Sequence, residues 1–173
     1  MKQLPPIRLR ALEPEDLDML YRIENDDMLW RVGATNVPYS RYVLRDYIAN
    51  TRSDIYADRQ LRLMINDAEG QVVGIVDLVN FDPRHQRAEV GIVICAPCRR
   101  LGYATAALQE LCRYASETLH LHQLYAIVDE DNQAALGLFR QAGFNVENSL
   151  SEWLYSGTEY RNAVLFQTFF EKK

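Results

Sequence analysis

The sequence predicts a mixed α/β fold: a mostly antiparallel sheet flanked by helices, with one parallel strand–helix–strand crossover. Three observations carry this. Leu61, Leu63 and Ile65 alternate with polar residues, reach a turn at Asp67-Ala68-Glu69-Gly70, and continue into the β-rich run Val72 to Val79, which is the pattern of a hairpin. The apolar stretch Ala88 to Ala96 leads through a short loop to an amphipathic helix from Tyr103 and then to a short strand, Leu124 to Val128, as a parallel crossover requires. The last section reads as two strands joined at Ser156-Gly157-Thr158. This order does not match the regular alternation of a Rossmann or TIM-barrel chain.

The remaining elements follow in order. Pro5-Pro6 introduces a short strand, Ile7 to Arg10. Glu13-Pro14-Glu15-Asp16 puts a proline and acidic groups where a helix starts, and Leu17, Leu20, Tyr21 and Glu24 follow at helical spacing to about Asn25. Ser40 caps a second helix in which Val43, Leu44, Tyr47 and Ile48 repeat at three- and four-residue spacing; the polar run 50–54 ends it. Asp82-Pro83-Arg84-His85 breaks the chain before the run Ala88 to Ala96, which is nearly all apolar after Glu89 and is expected to be a central strand buried on both faces. The helix from Tyr103 extends to about Leu119, and Asn132 through Ala142 forms another, stopped by Gly143.

At 173 residues the chain is expected to be one domain, 1–173, able to bury a core without disulfides or metals. Its 19 basic and 24 acidic side chains leave a net charge of −5, which disfavours nucleic acid and anionic lipid as partners. No apolar run approaches the roughly 18 residues of a membrane span, and the first residues lack the apolar core of a secretion signal, so a cytoplasmic location is expected. Three cysteines, Cys95, Cys98 and Cys112, cannot all pair within one chain. Cys95-Ala96-Pro97-Cys98 has no second CxxC to accompany it, so no metal site is assigned; His120 and His122 are read as the polar end of a helix.

The segment from Val93 to Thr105 is the most informative. A strand ends, Arg99 and Arg100 follow, and Gly102 with Ala104 opens a long helix. Unpaired N–H groups and the positive end of the helix dipole make such a start a place for phosphates, and the arginines can add charge-assisted hydrogen bonds. Taken alone, the loop reads equally well as a plain helix start with solvated arginines.

At this loop the sequence resembles the GNAT N-acetyltransferases, whose pattern is Gln or Arg, two residues, Gly, one residue, then Gly or Ala; Arg99, Gly102 and Ala104 meet it. A second stretch, Asn132 to Phe144, looks like the family's Asn-x-x-Ala-x-x-x-Tyr/Phe-x-x-x-Gly-Phe. The likeness runs from Ile7 to Ala163 and is nearest in feel to the spermidine and the ribosomal-protein N-terminal acetyltransferases. It implies acetyl-CoA as co-substrate. The backbone of Ile92, Val93 and Ile94 would pair with the pantetheine arm, and the residues from Arg99 through Arg100, Leu101, Gly102, Tyr103 and Ala104 to Thr105 would carry the phosphates. Asn132 and Phe139 would contact the cofactor from the second motif.

The implied reaction is direct attack of a primary amine on the thioester. A base is needed because such an amine is protonated near neutral pH. Glu89 is the first candidate and Asp77, on the preceding strand, the second; the alternative for Glu89 is an ion pair with Arg87 or Arg84. Where many relatives have a tyrosine to protonate the leaving thiolate, this chain has Phe139, and Tyr103 or Tyr125 are the candidate substitutes for the role. His85 is a further candidate at the amine site, with a solvated turn residue as the alternative. Trp30, Tyr39, Trp153 and Tyr155 are candidates for an acceptor pocket or for the core. The acceptor is expected to be a small polyamine-like amine or a peptide N-terminus. Glu24, Asp26 and Asp27 favour a polyamine, whereas the uncharged Gly33-Ala34-Thr35-Asn36-Val37 speaks against one. The competing reading is a catalytically weak acetyl-CoA-binding or sensing module. Self-association into a homo-oligomer is compatible with either.

Overall fold

The computed structural model describes residues 3–26, 29 and 37–171. Seven strands form one sheet in the order β1-β2-β3-β4-β5-β7-β6. They are β1 (Arg8–Ala11), β2 (Leu61–Asn66), β3 (Val72–Asp82), β4 (Arg87–Ile94), β5 (Gln123–Asp129), β6 (Val146–Tyr155) and β7 (Tyr160–Phe169). Every neighbouring pair is antiparallel except β4 with β5. The helices are α1 (Leu17–Glu24), α2 (Arg41–Asn50), α3 (Ile55–Asp58), α4 (Tyr103–Glu117) and α5 (Gln133–Gln141). The mixed architecture and its parallel crossover agree with the sequence expectation.

Strand alternation sorts the side chains into two layers. Leu63, Val76, Leu78 and Val90 face one way and pack with Leu108 and Leu111 of α4 and Phe139 of α5. Met64 and Ile75 face the other way and meet Leu20 of α1 and Leu44 of α2. Local signals fix the helix ends: Ser40 Oγ accepts the Val43 N–H at 3.1 Å, and Asn132 Oδ1 accepts the Ala135 N–H at 3.1 Å. Gly143, with φ +92°, follows α5. The four-residue helix α3 lies beyond the polar run 50–54, where the sequence showed only a break; Asp54 starts it by accepting the Tyr56 N–H at 2.9 Å.

The central strand requires a correction. It ends at Ile94 rather than Ala96, and it is not buried on both faces: Ala88 and Val90 are buried, but Gly91 to Ile94 are half-exposed. The cause is the sheet itself. The parallel ladder joins Arg87, Ala88 and Glu89 to Gln123, Leu124 and Tyr125 and stops there. Beyond that rung β4 stays paired with β3 on one side, while the edge toward β5 from Val90 to Ile94 carries no ladder partner among the described residues.

Candidate active site

That unpaired edge is the first part of the site. Val93, expected to belong to it, turns its main chain toward β3 instead: two residues on, Cys95 donates its N–H to the Val73 carbonyl at 2.9 Å, and main-chain groups alternate sides along a strand. Ile92 and Ile94 present backbone donors and acceptors to the gap between β4 and β5, a place where an extended chain bearing amides can add to the sheet. The apolar identity of these residues served to place the strand; their exposed main chain makes the edge available.

The second part is the loop that follows. A tight turn, Ala96–Cys98, lifts the chain off the sheet, and Arg99 folds back so that its Nε donates to the Ile94 carbonyl at 2.9 Å. Arg99 therefore braces the end of β4. Arg100 and Leu101 are exposed, Arg100 with φ +65°, and Gly102 enters α4 with φ +94°. No side chain caps this helix, so its first N–H groups are open to an anion, where the helix dipole also favours negative charge. Tyr103 and Ala104 are half-buried; Thr105 is buried, its Oγ1 bonded to Gln141 Oε1 at 3.3 Å, which ties α4 to α5. The edge, the uncapped helix and the two arginines fit a co-substrate with a pantetheine arm and a pyrophosphate.

Asn132 uses its amide oxygen to cap α5. Phe139 lies 4% exposed in a ring cluster, edge-on to Phe144 with centroids 5.0 Å apart and stacked on Phe166 at 5.7 Å. This is on the α4–α5 face of the sheet.

The candidate bases are on the opposite face. Register puts Glu89 beside Tyr125, and Asp77 beside Gly91. Glu89 stands on the last parallel rung, at the mouth of the gap. The expected alternative of an ion pair with Arg87 or Arg84 is not what forms: Arg87 pairs with Asp82 at 3.3 Å, and the Glu89 carboxylate accepts from Asn80 Nδ2 at 2.8 Å. Burial and the adjacent Glu89 charge push the Tyr125 phenol above its ordinary range. Asp77 is gripped by Arg62, Nε to Oδ1 at 2.7 Å and Nη2 to Oδ2 at 2.9 Å, and Arg62 also pairs with Glu24 at the end of α1. Burial by itself would weaken the guanidinium's hold on its proton, but the Asp77 and Glu24 carboxylates outweigh it and keep Arg62 firmly charged.

Arg62 and Asn80 were missed in the sequence. Arg62 occupies a polar slot of the β2 alternation and was read with the solvent side, whereas that side is covered by α1 and α2; an arginine between two apolar strand residues was the available signal. Of the other candidates, His85 is exposed in its turn, Tyr39 is half-buried beside Asn25, and Trp153 and Tyr155 are exposed on β6. Asp27, Trp30 and residues 33–36 lie outside the described residues. Among the described residues no group of His, Cys, Asp and Glu is arranged to hold a metal ion, and no helix is long and apolar enough to cross a membrane. A cleft of about 740 Å³, bordered by Gln86, Cys112, His120 and Phe170, opens at the far end of α4 from the loop; its size notwithstanding, it holds none of the candidate chemistry.

Comparison with known proteins identifies the family and the fold. Residues 7–145 match the acetyltransferase (GNAT) domain family. The chain is 32% identical over 162 residues to the spermidine N(1)-acetyltransferase of Escherichia coli K12, covering 91% of this chain and 83% of that protein. It is 26% identical over 156 residues to the Vibrio cholerae spermidine N(1)-acetyltransferase, covering 90% and 88%. The crystal structure of the Vibrio cholerae spermidine N-acetyltransferase with CoA and spermine superposes with a TM-score of 0.82 at 24% identity, over 94% of this chain and 95% of that one. A dodecameric structure of the Vibrio cholerae enzyme gives a TM-score of 0.78 at 25% identity, over 94% and 93%. The chain belongs to the GNAT acetyltransferase family and is an acetyl-CoA-dependent N-acetyltransferase.

Proposed function

We propose that the protein acetylates a polyamine-like primary amine, with Glu89 as the base. The observation that carries this is the position of Glu89: a carboxylate on the last rung of the parallel ladder, beside the unpaired edge of β4. The names of the relatives, which share up to 32% identity over 91% of the chain, support a polyamine acceptor. Bound acetyl-CoA supplies an electrophilic thioester and a thiolate leaving group. The protein's task is to align that thioester and to produce a neutral amine beside it. Roughly one alkylamine in a thousand is neutral near pH 7, so a carboxylate that accepts the ammonium proton, directly or through water, raises the reactive fraction where it is needed. Asp77, fixed by Arg62, orients the acceptor by its negative charge. Ile92 and Ile94 hold the pantetheine amides, and the residues from Arg99 to Thr105 hold the phosphates, mainly by main-chain N–H groups. Phe139 offers no proton, so the thiolate leaves without an acid from α5 and takes its proton from water.

The test is free-thiol release by the purified protein with acetyl-CoA and a panel comprising spermidine, a peptide with a free N-terminus and an aminoglycoside. Release with spermidine is expected; release with the peptide alone overturns the polyamine reading. The second reading, a sensing module, draws on Phe139 and requires tight CoA binding without thiol release on any amine. The dodecameric relative supports self-association here too, which light scattering after size exclusion measures, and a cytoplasmic location fits this chemistry.

A further inference from the structure

Strand β3 is not regular where it passes Glu89. Its ladder with β4 pairs Val79 with Glu89 and resumes at Asp82 with Arg87, so Asn80 and Phe81 together stand opposite Ala88 alone. This is a β-bulge, a device that re-aims a side chain. Asn80 absorbs the irregularity with φ +51°, a left-handed conformation that asparagine tolerates better than most residues. Phe81 anchors the bulge. It is 6% exposed, meets Tyr56 edge-on with centroids 5.0 Å apart, and donates its N–H to the Arg59 carbonyl at 3.4 Å. With Phe81 held inward, Asn80 is turned toward β4, and its Nδ2 donates to Glu89 Oε2 at 2.8 Å.

We propose that Asn80 is a positioning residue for Glu89: the bulge delivers an amide that holds Oε2 and so, with the neighbouring Tyr125 phenol, fixes the carboxylate at the mouth of the gap, where it takes the amine's proton. The inference rests on the reading of Glu89 as the base. A carboxylate on a half-exposed strand position otherwise samples several rotamers, and a misplacement on the scale of an ångström costs a large factor in rate. The Asn80 amide is engaged by the Glu89 carboxylate, so its effect runs through Glu89. The hydrogen bond is itself exposed to solvent, and its value here is geometric rather than stabilising.

The experiment uses Asn80→Gly, which keeps a backbone suited to positive φ and removes only the amide. With acetyl-CoA and spermidine, kcat should fall by about tenfold while KM for acetyl-CoA stays within about twofold, which also reports that the variant is folded. Asn80→Asp keeps the shape but sets a second carboxylate against Glu89, and should lower kcat further. The decisive comparison is Asn80→Gly made in a Glu89→Gln background, where it should add less than about a twofold loss, because the group through which it acts is gone. Wild-type kcat in Asn80→Gly, or an equal loss in both backgrounds, overturns the inference while leaving Glu89 in place. Near-normal turnover in Glu89→Gln removes the base reading itself and this inference with it.

Discussion

Pro5 lies against the Cα of Gly102: a Cβ added to the glycine would sit 3.0 Å from Pro5 Cδ and 3.5 Å from Leu4 Cδ2. The segment before β1 thus backs the loop that opens α4, and the left-handed Gly102 is fixed both by its φ of +94° and by lack of space. Gly102→Ala should impose about 1–2 kcal/mol of backbone strain and push the loop off Pro5. CoA affinity, measured calorimetrically, should weaken by about tenfold with little change in far-UV dichroism. An unchanged Kd would mean that the loop does not hold the phosphates.

Arg62 holds two carboxylates from different elements, and all three side chains are largely covered: 21% exposed for Arg62, 16% for Glu24 and 18% for Asp77. Arg62→Met preserves much of the packing but leaves Asp77 with its two hydrogen bonds removed. The loss in unfolding free energy should be about 3 kcal/mol, read as a lower urea midpoint at constant m. Double replacement, Arg62→Met with Asp77→Leu, should recover most of it because the uncompensated charge is removed as well. A single variant as stable as the parent would show that water reaches this cluster freely.

The sequence made the order of elements readable because the periods differ sharply: two in Leu61 to Ile65, three to four in Val43 to Ile48, and a glycine stop at Gly143. The loop from Arg99 to Ala104 was equally visible, since the residues that suit an open helix start are local in the chain. What sequence patterning could not supply was how far each strand stays paired. The run Ala88 to Ala96 is apolar, as in a fully buried strand, yet its far half loses its β5 partner after Glu89. The partners of Glu89 and Asp77 were hidden for a related reason. Asn80 reaches Glu89 only because of a bulge, and Arg62 reaches Asp77 only because two strands pair in one register.

Asp16 gives a pH test that is independent of catalysis. Burial would raise the pKa of this carboxyl, but the Arg10 guanidinium, which reaches it through two hydrogen bonds at 2.7 and 2.8 Å, and the Glu13 N–H at 2.9 Å together hold it below its usual range. A depressed folded-state pKa adds stability that is present above the unfolded value, about 3.9, and is lost as pH falls through the folded one. Asp16→Asn should therefore cost about 2 kcal/mol at pH 7 and at pH 5, and the gap from the parent should close below about pH 4. A gap of constant size down to pH 2.5 would mean that the carboxylate's charge contributes nothing.

Phe139→Tyr restores the hydroxyl that many relatives carry, but the receiving site in this chain is a set of packed rings: Phe144 edge-on, Phe166 stacked, and Phe139 itself 4% exposed. An added hydroxyl has to be desolvated among them, at a cost of about 1 kcal/mol or more, which should lower the melting temperature by about 3 °C. The thiolate of CoA leaves readily without protonation by the protein, so kcat should change by less than about tenfold. The two readouts discriminate. A rise in kcat beyond about a hundredfold would show that thiolate protonation limits the wild-type enzyme and that α5 lies close enough to the sulfur to supply the proton. Loss of stability with kcat nearly unchanged would leave proton removal at Glu89 as the step on which the protein acts.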